Sequence, residues 1–197
     1  TNEIFILGSH RLMRNVVDSL GLDMEYSMKR SLHSVSLYKA TPVVAEFGAA
    51  VPTSVGFEVK IKNETDFEIS DLYVFYEGDK EVTEIDGKFA GKFGEQVATP
   101  AGDICLQKRE TFGEFTTEED GETFKELTLN ISRMSKYITA EMYRSNVAIG
   151  ELDKKSSLVV MSCQDNNVPR ANDVLREIYN AYKRDVVEYK NRVAQNT

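Results

Sequence analysis

Apolar and polar residues alternate without interruption over residues 55–62 of this chain. One side of the alternation carries four apolar residues: Val55, Phe57, Val59 and Ile61. A repeat of two residues is typical of a β-strand with one buried face. Residues 63–66 follow with Asn and Asp, whose side chains can hydrogen-bond the local backbone and so favour a turn. Residues 69–76 then predict a second strand, with apolar side chains on both faces at residues 72–76.

A different spacing marks the N-terminal part of the chain. Between Arg11 and about Lys39, apolar residues recur at steps of three and four, which predicts an amphipathic helix. The stripe consists of Met13, Val17, Leu20, Met24, Met28, Leu32 and Val35. Gly21 interrupts the stripe at a cost of about 1 kcal/mol relative to Ala, so two shorter helices are an alternative.

The rest of the chain continues the β pattern and then returns to a helix. Strand and turn signals extend from Val55 to about Ile149, and residues 156–163 form another apolar run. After Pro169, Asn172 is a candidate N-cap, and a helical stripe follows: Leu175, Ile178, Tyr182, Val186, Tyr189 and Val193.

These patterns predict a mainly β protein with flanking helices. We expect a β-sandwich with an N-terminal amphipathic helix and a C-terminal helix in a single domain, residues 1–197. The expected parts are an N-terminal helical segment (1–50), the sandwich (51–165) and the C-terminal helix (170–195).

The composition of the chain disfavours several classes of function and of binding site. The formal net charge is −8, which disfavours a non-specific nucleic-acid binder. His10 and His33 lie in different segments and the two cysteines are far apart, so we expect no metal site and no cofactor. Cys105 and Cys163 allow one disulfide or two thiols. Asn63 and Asn130 fit the glycosylation acceptor pattern, which leaves their modification open.

No motif predicts catalysis. The glycine-rich residues 87–94 lack the Gly-Lys-Ser/Thr ending of a phosphate loop, and no Gly-x-Ser-x-Gly motif marks a serine nucleophile. The adjacent carboxylates at residues 118–120 are typical of a solvated turn. We therefore expect a protein that is not an enzyme and has no catalytic residues.

Several segments resemble the actinoporins, the pore-forming cytolysins of sea anemones. The first is the strand pair, with Asn63-Glu-Thr65, Leu72 and the aromatic pair Phe75-Tyr76 before Gly78. Four further segments are similar to family motifs in the same order along the chain: residues 97–102, residues 120–121, the pair Ser135 and Tyr143, and residues 170–179.

The resemblance implies a function as well as a fold. It implies a secreted protein that binds membrane lipid or a surface receptor, forms a homo-oligomer and inserts its N-terminal helix into the target membrane. The segment Arg11–Lys39, with its apolar stripe, would be the inserting helix. Ser135 and Tyr143 would contact the lipid headgroup.

An alternative function uses the same scaffold without lysis. The chain contains no Trp, the residue type that would rest at the level of the lipid headgroups together with Tyr. This composition favours a non-lytic β-sandwich, either a lectin-like binding module or a component of a structural assembly.

Overall fold

The computed structural model describes residues 2–48, 54–76, 78–153 and 158–195. The chain divides into two compact units. We call Met24–Met134 the sheet unit, and Thr1–Asp23 together with Ser135–Thr197 the terminal unit.

The helices and strands are numbered in chain order. The helices are α1 (Asn2–Leu7), α2 (His10–Leu20), α3 (Phe112–Thr116), α4 (Lys136–Asn146) and α5 (Val168–Gln195). The strands are β1 (Met24–Arg30), β2 (His33–Ser36), β3 (Val43–Phe47), β4 (Ser54–Ile61), β5 (Asp66–Phe75), β6 (Thr83–Ile85), β7 (Phe89–Lys92), β8 (Gln96–Thr99), β9 (Gly102–Lys108), β10 (Leu127–Arg133), β11 (Val147–Glu151) and β12 (Val159–Cys163).

The sheet unit is a β-sandwich, as the sequence predicts. A seven-stranded sheet has the order β2-β1-β10-β4-β5-β6, with β7 also paired to β5, and a three-stranded sheet has the order β3-β9-β8. Apolar side chains of both sheets, such as Val59 from β4 and Leu106 from β9, belong to one hydrophobic core. Burial of the facing sides of two sheets is the arrangement expected of a sandwich.

The alternation over residues 55–61 is confirmed in β4. All four of its apolar residues are buried in the core of the sheet unit. The turn after β4 is also confirmed, because the side-chain oxygen of Asn63 accepts hydrogen bonds of 2.8 Å from the backbone N–H groups of Thr65 and Asp66. Local pattern and turn chemistry therefore specify this hairpin.

A β-bulge changes which residues of β5 face the core. The pairing of β4 with β5 shifts between Gly56 and Glu58, so that Phe57 lies opposite both Asp71 and Leu72. Asp71 adopts a left-handed conformation with φ of 49°. The extra residue shifts the alternation by one position. Phe67 and Ile69 point into the core before the bulge, whereas Leu72 and Val74 do so after it.

The predicted helix from Arg11 to Lys39 is wrong beyond Leu20. Helix α2 begins after Ser9, whose side chain accepts a hydrogen bond from the backbone of Leu12. It ends at Gly21, which adopts the left-handed conformation of a C-cap. The chain then continues as the β1–β2 hairpin. Of the predicted stripe, Met13, Val17 and Leu20 lie on α2, Met24 and Met28 on β1, Leu32 in the turn and Val35 on β2.

One further expectation about the N-terminal half needs correction. The sandwich was predicted to begin at residue 51, whereas strands β1, β2 and β3 precede that position. These strands are short or only half-buried, so their patterns fit a helix or a loop equally well.

The terminal unit contains the helices α1, α2, α4 and α5 and the β11–β12 hairpin. Strand signals extended through residues 136–146, but these residues form α4. Helix α5 begins at Val168, and the amide oxygen of Asn167, not Asn172, accepts the backbone hydrogen bond from Arg170. Of the predicted strand 156–163, Val159–Cys163 form β12 and Leu158 precedes the strand, whereas residues 156 and 157 lie outside the described residues.

Two further observations, on membrane-spanning helices and on the cysteines, hold for the residues that the structure describes. Within them, no helix combines the length and apolar composition required to cross a bilayer. Cys105 and Cys163 are free thiols, which decides between the two states that the sequence allowed.

Candidate functional site

The predicted lipid contacts Ser135 and Tyr143 both lie at α4 in the terminal unit. Ser135 precedes the helix, and its carbonyl oxygen accepts hydrogen bonds from the backbone N–H and the hydroxyl of Thr139. Tyr143 is eight residues further on, about 12 Å along the helix axis. Only 3% of Tyr143 is exposed, so a lipid headgroup could reach this side chain only after a rearrangement. Their role in lipid binding stays a prediction.

Tyr143 is part of a buried polar cluster. Its hydroxyl donates a hydrogen bond of 3.4 Å to Asp165, which also forms a bidentate pair with Arg170 at 2.8 and 2.7 Å. Burial by itself raises the pKa of Asp165, but the hydrogen bonds from Arg170 and from the backbone of Asn167 outweigh it, and the pKa is lowered overall. A satisfied buried pair of this kind fixes the start of α5 relative to α4 and β12.

A different surface has the geometry of a binding site. It is the outer face of the seven-stranded sheet, which points away from the core of the sandwich. One row of polar side chains crosses five strands in register, and it consists of Ser36, Ser27, Asn130, Glu58 and Ser70. A second row, one pleat further along, consists of Glu25, Ser132, Gly56, Tyr73 and Glu84. Adjacent strands are about 4.8 Å apart, so neighbours within a row can bind one ligand together.

Tyr73 and Gly56 form the centre of the second row. The two residues lie directly opposite each other on β5 and β4. A Cβ atom built on Gly56 would lie 2.2 Å from Cζ and from the hydroxyl oxygen of Tyr73. The aromatic ring therefore lies across β4 in the space that the missing side chain leaves open. About 38% of Tyr73 is exposed, so the ring presents apolar surface within a polar face.

The β-bulge places Tyr73 on this face. Phe67 and Ile69 point inward, and continued alternation would have turned Asp71 and Tyr73 inward as well. The extra residue at the bulge exposes Asp71 and directs Tyr73 outward. Bulges often re-aim side chains beside functional sites, and here the bulge lines the same groove as the tyrosine.

Most residues of the two rows line a groove of about 1050 Å³. Its polar lining includes hydroxyl and amide groups (Ser27, Ser34, Ser70, Ser132 and Asn130) together with the carboxylates of Glu58, Asp71, Glu84 and Asp86. The β6–β7 connection, including Gly87, also lines the groove. A volume of this size is at the upper end of the range for small-molecule sites.

The groove is electrostatically negative. Lys88 is the one basic residue among the described lining residues, and its ammonium group lies 3.0 Å from Glu68. Hydrogen bonds from Lys62 and Lys88 lower the pKa of Glu68 to about 2, so this carboxylate stays ionised and paired with both lysines. The four groove carboxylates therefore face little opposing charge, which disfavours anionic ligands.

The chemistry of the groove suits a polar, uncharged ligand. Serine hydroxyls donate and accept hydrogen bonds, Asn130 does both through its amide, and carboxylates accept them. The ring of Tyr73 adds a flat apolar surface. Within the described residues, no group of three or more His, Cys, Asp or Glu side chains is arranged to hold a metal ion.

Sequence reasoning did not predict this site. The alternation did place Gly56, Glu58 and Lys60 on the outer face of β4, and a glycine within a strand is a signal of close approach by another group. The partner of Gly56 could not be read from the sequence, because Tyr73 faces outward only as a result of the bulge. The serines and Asn130 come from segments up to about one hundred residues apart, so only strand pairing brings them together.

Comparison with protein-family models and with curated proteins found no match to this chain.

Proposed function

We propose that the protein is a non-lytic, lectin-like binding module that holds a neutral glycan in the sheet groove. The observation that carries the proposal is the ring of Tyr73 lying across Gly56 within two rows of hydrogen-bonding side chains. No chemical step is proposed, because binding alone accounts for the combination of an aromatic surface and polar groups.

The match to a glycan follows from the chemistry of sugars. A pyranose ring exposes hydroxyl groups around its edge and C–H groups on its faces. The C–H face can stack on the ring of Tyr73, since aromatic rings combine apolar area with a defined geometry. The hydroxyl groups can donate to Glu58 and exchange hydrogen bonds with Asn130 and the serines. Hydrogen bonds with an ionised acceptor are about twice as strong as those between neutral groups.

The charge and the volume of the groove determine which glycans it can bind. Four carboxylates line the groove, so sialylated or sulfated sugars would meet repulsion. A groove of about 1050 Å³ can accommodate a short oligosaccharide and not only one sugar ring. We therefore expect a preference for neutral oligosaccharides over monosaccharides and over acidic glycans.

The packing of α2 supports a non-lytic function. The stripe that would insert into a membrane does not form one helix, and its part on α2 packs against α4 and α5. Leu12, Met13, Val16 and Val17 are completely buried. Each such side chain contributes about 1.5–3 kcal/mol by its burial, so detaching α2 would require a substantial compensating gain from lipid.

Isothermal titration calorimetry with a panel of neutral and acidic oligosaccharides tests the proposal. We expect at least one neutral oligosaccharide to bind, and Tyr73→Ala to reduce its affinity at least about tenfold, the effect of losing one stacking contact. Tyr76→Ala is the matched control, because Tyr76 is on the same segment and is 47% exposed but lies outside the groove lining. The control should bind normally.

Three results would overturn the proposal. They are the absence of binding to every neutral glycan in the panel, an equal loss of affinity in both tyrosine variants, and a groove that binds basic peptides instead. Basic peptides are included because the carboxylates could also attract cations, and their binding would fall steeply with added salt.

A further inference from the structure

Helix α5 has two apolar faces. One face contains Val174, Ile178 and Ala181, which are buried within the protein. The second face lies about a quarter of a turn further around the helix, given about 100° per residue. Its residues alternate at steps of four and three, the heptad spacing of a coiled coil: Leu175, Tyr179, Tyr182, Val186, Tyr189 and Val193. We call this second face the heptad seam.

The heptad seam continues beyond the packed part of the helix. Every residue from 187 to 195 is exposed, a length of about 13 Å at 1.5 Å per residue. Tyr189 and Val193 lie in this part of the seam, and Tyr179 is exposed nearer the start of the helix. The other three seam residues, Leu175, Tyr182 and Val186, are half-buried, so the rest of the chain covers the seam only in part. A regular apolar repeat that stays partly exposed and extends past the packed part of a helix is typical of a helix that pairs with another helix.

The charges beside the seam indicate the partner and its direction. In a parallel pair of identical helices, Asp185 (position g) lies opposite Lys190 (position e) of the second copy, and this attraction occurs twice by symmetry. In an antiparallel pair, Asp185 would face Arg192, but Lys183 would face Lys190. The antiparallel arrangement therefore combines attraction with repulsion, whereas the parallel one has only attraction.

Asp185 is available for such a contact. It accepts a hydrogen bond of 2.7 Å from Arg11 through one oxygen, and its side chain keeps part of its surface accessible. The second oxygen can accept from Lys190 of a second copy. Val186, which is half-buried, and Val193, which is exposed, occupy a positions of the seam. β-Branched residues at a are found in two-stranded parallel coiled coils that carry Leu at d, and Leu175 occupies one d position of this seam.

We propose that two copies of this chain form a parallel dimer through the heptad seam of α5. The fully exposed end of the seam, residues 187–195, extends over little more than one heptad, less than a standard stable interface requires. We expect a reversible dimer with a dissociation constant in the micromolar range. This proposal is independent of the glycan groove, which lies in the sheet unit.

Sedimentation velocity on the full chain across a concentration series tests the dimer. Val193→Glu places a charge in the seam and should weaken association at least about tenfold. Val187→Glu is the matched control, since the two valines are similarly exposed, at 50% and 55%, but Val187 lies outside the seam. The control should associate within about twofold of the original chain, a difference well under 1 kcal/mol.

Lys190→Glu tests the direction of pairing. In a parallel dimer the new glutamate faces Asp185 and association weakens several-fold. In an antiparallel dimer the substitution removes the repulsion between Lys183 and Lys190, and association strengthens. The proposal is overturned by a monomer at all concentrations, by equal effects of the two valine variants, by an oligomer larger than two, or by a Lys190→Glu variant whose association is unchanged or stronger.

Discussion

The ring of Tyr73 occupies the space above Gly56, its direct cross-strand neighbour on the outer face of the seven-stranded sheet. The pair explains why a glycine is present within an otherwise well-patterned strand. Glycine lacks a side chain to pack and weakens a strand, so its presence at residue 56 suits a site where another group must approach closely.

Gly56→Ala should reduce glycan binding without unfolding the protein. The new Cβ would overlap the distal end of the Tyr73 side chain, which is partly exposed and can rotate away. The ring would then leave the groove, while the loss of a flexible glycine offsets much of the strain. Calorimetry on Gly56→Ala, Tyr73→Ala and the double variant measures the coupling. If Gly56→Ala weakens binding as much in the Tyr73→Ala background as in the original chain, the two residues do not act together.

Gly91→Ala is expected to lower the stability of the protein without changing its affinity for glycan, the opposite of Gly56→Ala. A Cβ at Gly91 would lie 2.3 Å from Val97 and 2.6 Å from Phe67, whose side chains are fixed in the core. Overpacking of this kind typically costs about 1–3 kcal/mol. Urea denaturation should show this loss of stability, and glycan affinity at low temperature should be unchanged. A stable Gly91→Ala variant would contradict the packing described for this part of the sandwich.

Substitutions at Asp71 should show that the stability of the protein depends on the backbone conformation at this position and not on the carboxylate side chain. Asp71 has a φ of 49°, which glycine adopts freely and β-branched residues adopt only with strain. Asp71→Gly should be about as stable as the original chain, whereas Asp71→Val should be less stable by about 1–2 kcal/mol. Chemical denaturation of both variants checks this, and a Val variant as stable as the Gly variant would show that the bulge can relax.

Arg170→Met should strongly destabilise the terminal unit. It would leave the buried carboxylate of Asp165 without its cation, and breaking a buried pair in this way costs about 3–5 kcal/mol. Arg176→Met is the control on the same helix, because Arg176 is exposed and its pair with Asp173 spans 3.5 Å. That variant should lose less than about 1 kcal/mol in urea denaturation. Similar losses in the two variants would contradict a special role for Arg170.

The pH dependence of the Arg170 variant follows from the lowered pKa of Asp165. Because this pKa lies below its ordinary value of 3.8, the folded protein binds fewer protons at this group than the unfolded chain does. The pair therefore stabilises the protein fully above the unfolded pKa, and this stabilisation is lost as the pH falls through the lower, folded pKa. The difference in unfolding free energy between the original chain and Arg170→Met should narrow as the pH is lowered below about 4.

Dye release from sphingomyelin-containing vesicles distinguishes a binding module from a cytolysin. We expect no release at micromolar protein, with or without added neutral glycan, because the apolar face of α2 is already buried against α4 and α5. Detergent provides the reference for complete release. Leakage that depends on protein concentration would instead support the pore-forming function implied by the actinoporin resemblance.

The sequence by itself determined those elements whose local pattern has one solution. Strand β4 alternates over its whole length, and Asn63 satisfies the backbone of the following turn, so the hairpin was predictable. The three- and four-residue spacing of apolar residues from Leu175 to Val193 likewise specified a helix with an apolar stripe. These patterns depend on neighbours within a few residues, which is the range over which side-chain periodicity and capping act.

The pairing of distant strands decided the conformation of the ambiguous segments and the assembly of the groove. Met24 and Met28 are four residues apart, a spacing that suits one helical turn and two strand repeats equally. Their conformation follows from the pairing of β1 with β10, in which Met24 lies opposite Arg133 and Tyr26 opposite Ile131. The same pairing aligns Ser27 with Asn130, and the bulge at Asp71 turns Tyr73 outward over Gly56. A local pattern encodes which side chains are buried but not which distant strand buries them, so the groove exists only in the folded sheet.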